Sequence, residues 1–333
     1  MTLPSQVQTS RSPAAFTMLE LMVAGTVLLI LIMIVTEMVS NTMLLTNQGR
    51  DQVEADNAAR MVFDRMALDF DKMINRRDVD YIFKNRTADE PMIGNDALFF
   101  YSEAPAYTSS TSGFGTVALV GYRVVTSASN TINGVQVPVL ERLGKRLSVE
   151  GAAGASSAGT MVFGSPSSGT AGSFTEYWPG IGSKSNVYTD GTDACYHVLS
   201  SQVVRMETAF LLKSVTKADG TVISGSLSKY SYHTEPELGH TDISGTNYRG
   251  LDDVAAVVVS LAILDNSSRR MIGSNNIYTS LINALDDYNP DSGLTMAEAW
   301  KAKIESGTFA KDTGLSKAVA SQVRVYQRFF YLK

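Results

Sequence analysis

The chain has 333 residues, of which 18% are charged, and a formal net charge of −5. That length allows one large or two small domains with a sizeable core. The acid excess leaves no basic surplus to neutralise phosphates, so nucleic acid is not an expected partner. A single cysteine, Cys195, excludes an intramolecular disulfide framework.

The first fifteen residues are polar, with Arg11 as their only charged side chain. Residues 14–35 are then apolar except for Thr17, Glu20 and Thr26. A helix of roughly 20 such residues crosses ~30 Å of hydrocarbon. The run is too long and too uniform for an amphipathic surface helix. Arg11 lies before it and Glu37 after it. Positive-inside logic therefore puts the short leader in the cytoplasm and the rest of the chain outside. A secretory signal would place its small residues after the apolar core, whereas Ala14 and Ala15 come before it. Glu20 is the anomaly. A carboxylate within a membrane segment costs on the order of 3 kcal/mol, so a neutralising partner is expected.

The residues Ala15-Phe16-Thr17-Met18-Leu19-Glu20-Leu21-Met22-Val23 resemble the class III signal of type IV pilins and pseudopilins. That signal is a small residue, then Phe-Thr-Leu-x-Glu-Leu, then about fifteen apolar residues. The resemblance implies cleavage by prepilin peptidase between Ala15 and Phe16, followed by N-methylation of Phe16. It also implies that Glu20 pairs with the Phe16 amine of a neighbouring subunit, so the partners would be other pilins or pseudopilins in the inner membrane. The family normally carries glycine before the cut, where this chain has Ala15. The alternative is a plain signal anchor whose Glu20 reaches interfacial water.

Beyond the membrane segment, Ala59, Val62, Met66, Phe70 and Met73 recur every three or four residues, which predicts one apolar helix face. Arg50 with Glu54, Asp56 with Arg60, and Arg65 with Asp69 are opposite charges four apart, expected on the more polar faces. Gly49 allows a bend between the two parts.

After Arg77 the pattern turns to strands, at 97–101, 117–125 and 135–143, with Asn133-Gly134 as the turn between the last two. Further strands are expected at 203–212 and 254–264, the latter apolar enough to be buried on both faces. Residues 151–173 are mostly Gly, Ala and Ser and read as a flexible insertion. A short helix is expected at 294–304, and a closing strand at 323–332. The paired segments 121–125 and 139–142 resemble a β-meander of J-type minor pseudopilins. With the prepilin start, the C-terminal segment resembles the prepilin-like "cassette protein C" group of Verrucomicrobia.

Together these elements predict an α+β, pilin-like fold: a long N-terminal helix, transmembrane then amphipathic, packed on an antiparallel β-sheet head. The expected parts are a leader (1–15), a transmembrane helix (16–35), its amphipathic continuation (36–78) and a periplasmic head (79–333).

Asp287, Asn289, Asp291, Thr295 and Glu298 fall at positions one, three, five, nine and twelve of an EF-hand-like calcium loop. Ser292 stands where that loop needs glycine, and Pro290 stiffens the turn. The residues therefore read first as an acidic turn capping a helix, with calcium as the alternative and no other cofactor expected. Cys195, His197, His233 and His240 are ligand types that zinc accepts, but their spacing matches no compact zinc motif. Ser226-x-x-Lys229 lies in a Gly/Ser-rich turn rather than at the helix start that acyl-transfer chemistry needs. No catalytic constellation emerges, so the expected function is structural. The expectation is a minor pseudopilin of a type IV pilus-like filament or a type II secretion pseudopilus. A second expectation is an adhesive minor pilin, whose discriminating sign would be a concave aromatic patch on the head; Tyr107, Phe114, Tyr177 and Trp178 lie in loop-like stretches.

Overall fold

A computed structural model describes residues 17–75, 81, 83, 94–104, 117–146, 196–216, 222–223, 225–228, 251 and 254–333. The chain divides into two compact units, 1–50 and 51–333. The first helix, α1 (Met18–Asp71, 54 residues), contributes to both. In the first unit, every side chain from Met18 to Met43 is exposed, which is unusual for so apolar a helix outside a membrane. This helix is long and apolar enough to cross a bilayer.

The second unit begins with residues 51–71 of α1. Ala59, Val62, Met66 and Phe70, four of the five residues predicted from their spacing, are buried on one face together with Ala55 and Phe63, while Met73 falls beyond the helix in a bridge to Ser102. That face packs against two antiparallel sheets. In the first, β1 (Leu98–Ser102), β2 (Ala118–Ile132), β3 (Val135–Arg146) and β4 (Tyr196–Ser200) lie in chain order. The β2–β3 turn has positive φ at both Asn133 (52°) and Gly134 (79°), as a two-residue hairpin requires.

The remaining strands are β5 (Val203–Leu212), β6 (Val215–Thr216), β7 (Val222–Ile223), β8 (Leu227–Ser228), β9 (Val254–Ile263) and β10 (Arg324–Tyr331). The second sheet has the order β10-β9-β5-β8, while β6 and β7 form a small ribbon. Its central strand β9 is apolar on both faces because two cores need it. Val257, Val259, Leu261 and Ile263 join the core under α1. Val258 and Ala262 join a second core, built with Tyr278, Leu281, Trp300 and Phe309.

Those last four residues come from helices inserted between β9 and β10: α2 (Asn266–Arg270), α3 (Asn275–Ala284), α4 (Met296–Glu305), α5 (Phe309–Thr313) and α6 (Lys317–Ala320). Each start has a local cause where a side chain caps it. Asp265 accepts from the Ser268 N–H, Ser274 from Asn276, and Ser316 from Val319. Gly314, at φ 72°, ends α5 in the left-handed conformation. Of these helices, the sequence pattern predicted α4 alone.

The charge pairs along α1 differ from expectation. Arg65 and Asp69 do approach, at 3.3 Å, but Asp69 is fully buried rather than solvated. Its main partner is Arg142 of β3, whose Nε and Nη2 donate to the two carboxylate oxygens at 2.6 and 2.9 Å. The Tyr122 hydroxyl donates to the same carboxylate. Glu54 accepts from Gln202 at 2.5 Å and from Asn266, rather than serving Arg50. Asp56 accepts from the Tyr326 hydroxyl at 2.5 Å. The head is close enough to supply better-placed donors than the helix itself.

Candidate functional site

The N-terminal end of α1 holds Glu20 in its first turn. Thr17 precedes the helix, and its hydroxyl accepts from the Glu20 N–H at 3.3 Å. In return the Glu20 carboxylate accepts from the Thr17 N–H and hydroxyl, both at 3.0 Å. This reciprocal arrangement is a capping box, which satisfies donors that a helix start leaves unpaired. The negative charge also sits at the favourable end of the helix dipole. The anomaly in the apolar run thus has a local use that the sequence reading missed, although the spacing Thr-x-x-Glu was visible. Around it Leu19, Leu21, Val23 and Ala24 present only hydrocarbon. Glu20 remains exposed, leaving its carboxylate accessible to a donor from another chain. Ala15 and Phe16, the expected cleavage and methylation positions, lie outside the described residues.

The acidic turn resolves into two separate arrangements. Asp287 accepts from Arg205 at 2.7 Å, and Arg205 also pairs with Glu207 at 3.2 Å. Glu298 closes a second capping box with Thr295, accepting from its N–H and its hydroxyl at 2.8 Å each. Those bonds hold the Glu298 carboxyl below its ordinary range, the backbone N–H being the largest cause. Between the two, Pro290–Ser292 forms a 3-10 turn, and the Ser292 hydroxyl donates to the Asn289 carbonyl at 2.7 Å. Asp287 and Glu298 therefore serve an ion pair and a helix cap. Among the described residues, no three His, Cys, Asp or Glu side chains come together as a metal-binding group.

His197 lies on β4, whereas Cys195, His233, His240 and Lys229 lie outside the described residues, as do Tyr107, Phe114, Tyr177 and Trp178. One groove of about 450 Å³ runs between α1 and β10, lined by Asp56, Arg60, Asp64, Tyr326 and Arg328 among others. Arg328 donates to Asp64 across it at 2.7 Å. Asp56 and the Tyr326 hydroxyl also meet across it.

Comparison with known proteins returns no matching family model, no matching curated protein and no matching solved structure.

Proposed function

We propose that this chain is a minor pseudopilin, a structural subunit of a type IV pilus-like filament or type II secretion pseudopilus. The observation carrying this reading is Glu20, the one charged side chain in the first 18 residues of α1, held in the first turn of a stretch that is exposed throughout. In this reading, residues 16–35 anchor the chain in the inner membrane and the head lies on the periplasmic side. Prepilin peptidase cuts between Ala15 and Phe16 and methylates the new amine. On assembly, the helix leaves lipid for the filament core, and the Phe16 amine of a neighbour bonds Glu20. That ion pair offsets the membrane cost of the carboxylate, which an isolated chain meets only through its capping box. The head then contacts other minor subunits or cargo, and no catalytic role is assigned to it.

The test is mass analysis of the N-terminus of chain extracted from membranes, with and without the peptidase. A mature chain beginning at N-methylated Phe16, lost when the peptidase is absent, is the expected result. Retention of residues 1–15 in peptidase-positive cells would reduce the protein to a signal-anchored periplasmic domain.

A further inference from the structure

We infer that β10 is an open sheet edge that takes up an extended, carboxylate-bearing segment of a partner protein as an added strand. The inference concerns the head alone and stands whether or not residues 16–35 enter a filament.

The two edges of the second sheet are treated differently. At β5 the edge is sealed by Asn95 and Asp96. Asn95 Oδ1 accepts from the Met206 N–H at 2.7 Å, and the Asp96 N–H donates to the Met206 carbonyl at 3.0 Å. The Asp96 carboxylate accepts from the Thr208 N–H at 2.7 Å, and β8 pairs with Phe210 and Leu211. The β10 edge has no such cover among the described residues. The Leu332 N–H donates to the Ala255 carbonyl at 3.0 Å, which fixes the alternation along the strand. Tyr326, Arg328 and Phe330 turn their backbone groups to β9, whereas Gln327, Phe329 and Tyr331 turn theirs away. Within the described residues nothing bonds those outward groups. A free row of N–H and C=O groups is a template for another strand. The side chains of Phe329 and Tyr331 are exposed beside it and offer apolar area to a strand laid there.

Charge selects the occupant. Exposed charges commonly guard such an edge, but here Arg328 and Lys333 are drawn to the α1 carboxylates Asp64 and Asp71, at 2.7 and 2.6 Å. The groove between α1 and β10 runs along the same strand, and Arg60 lines it. Asp56 bonds Tyr326 and Asp64 bonds Arg328, so Arg60 is exposed with no ion-pair partner among the described residues. Arg324, at the start of β10, likewise has no carboxylate partner there. A strand added to β10 therefore meets two unpaired cations and gains from an acidic side chain. A second copy of β10 would instead bring its own Arg324 and Arg328 against them, like charge facing like.

The test uses the full chain in detergent and two fluorescent peptides of alternating Thr and Val, one with a central Glu and one with a central Lys. Anisotropy titration should show saturable one-to-one binding of the Glu peptide, about fivefold tighter than the Lys peptide. Phe329→Pro removes an outward N–H without touching the β9 ladder and should abolish binding. Phe329→Val keeps that N–H and should still bind, and Arg60→Gln should narrow the preference for Glu. No saturable binding of the Glu peptide, equal affinity for the two peptides, or undiminished binding by a folded Phe329→Pro chain would overturn the inference. Where Phe329→Pro fails to fold, a fully N-methylated Glu peptide decides, and its binding as tightly as the unmethylated one overturns the inference equally. A peptide-independent dimer that is lost in Phe329→Pro would assign the edge to a second copy and overturn the acidic partner.

Discussion

The ring of Phe99 fills the space that a side chain at Gly121 would need. The two residues are direct cross-strand partners on β1 and β2. A Cβ built on Gly121 would lie 2.4 Å from two carbons of that ring and 3.2 Å from the Leu143 Cβ. Glycine costs a strand conformational entropy, and here the aromatic ring covering it offsets that cost. Gly121→Ala should therefore destabilise the chain by about 1–3 kcal/mol, because Phe99 is fully buried and has nowhere to move. Thermal unfolding of the chain in detergent would show it. A variant as stable as the parent would mean that the ring relocates freely.

Phe330 joins β10 to the helix. Its ring stacks on Phe70 with centroids 4.8 Å apart and lies 6.2 Å from Phe63. Phe330→Ala should cost about 3–5 kcal/mol, the usual range for removing a buried phenylalanine. Denaturant titration measures the loss directly.

Asp69→Ala removes one partner of a buried ion pair and strands Arg142. A loss of about 3–5 kcal/mol is expected. The bonds to Asp69 hold the Arg142 guanidinium above its ordinary value even though burial opposes its charge. A guanidinium keeps its proton in proteins even without such partners, so raising the pH to 9 should recover none of the lost stability.

Asp265 predicts a dependence on pH. Burial pushes its carboxyl up, but hydrogen bonds from Ser267 and Ser268 outweigh it and hold it below its ordinary range. A depressed native value gives stability that is fully present above the unfolded value, about 3.9, and is lost as pH falls through the native value. Asp265→Asn keeps a capping oxygen but cannot titrate. Its melting temperature should fall less steeply than the parent's below about pH 4. Parallel curves for the two chains would refute this assignment.

Much of the architecture was legible because it rests on local periodicity. The buried face of α1 and the doubly apolar β9 follow from spacing alone, as does the hairpin at Asn133-Gly134. The α4 start was readable too, since Thr295 and Glu298 carry the capping pattern, although the same acids also suggested a calcium loop. What escaped depends on distant partners. Asp69 looks like one half of a surface pair with Arg65, because nothing nearby announces an arginine 73 positions later. The short helices α2, α5 and α6 were missed because four or five residues hold too little periodic signal. At Glu20 the sequence raised the right question, and Thr17 supplied an answer within the same helical turn.

The pairing of α1 with β10 has a consequence for biosynthesis. Tyr326, Arg328 and Lys333 reach Asp56, Asp64 and Asp71, partners 262 to 270 positions away in the chain. Seven strand steps span about 23 Å, and fifteen helical steps about the same, so the two elements run in step. At ordinary translation rates of roughly 5–20 residues per second, β10 leaves the ribosome on the order of 13–50 s after its helix. Throughout that interval the apolar face of residues 55–70 has no β10 to cover it. A nascent chain would thus present a sticky stem, open to holding chaperones or to premature pairing with another copy.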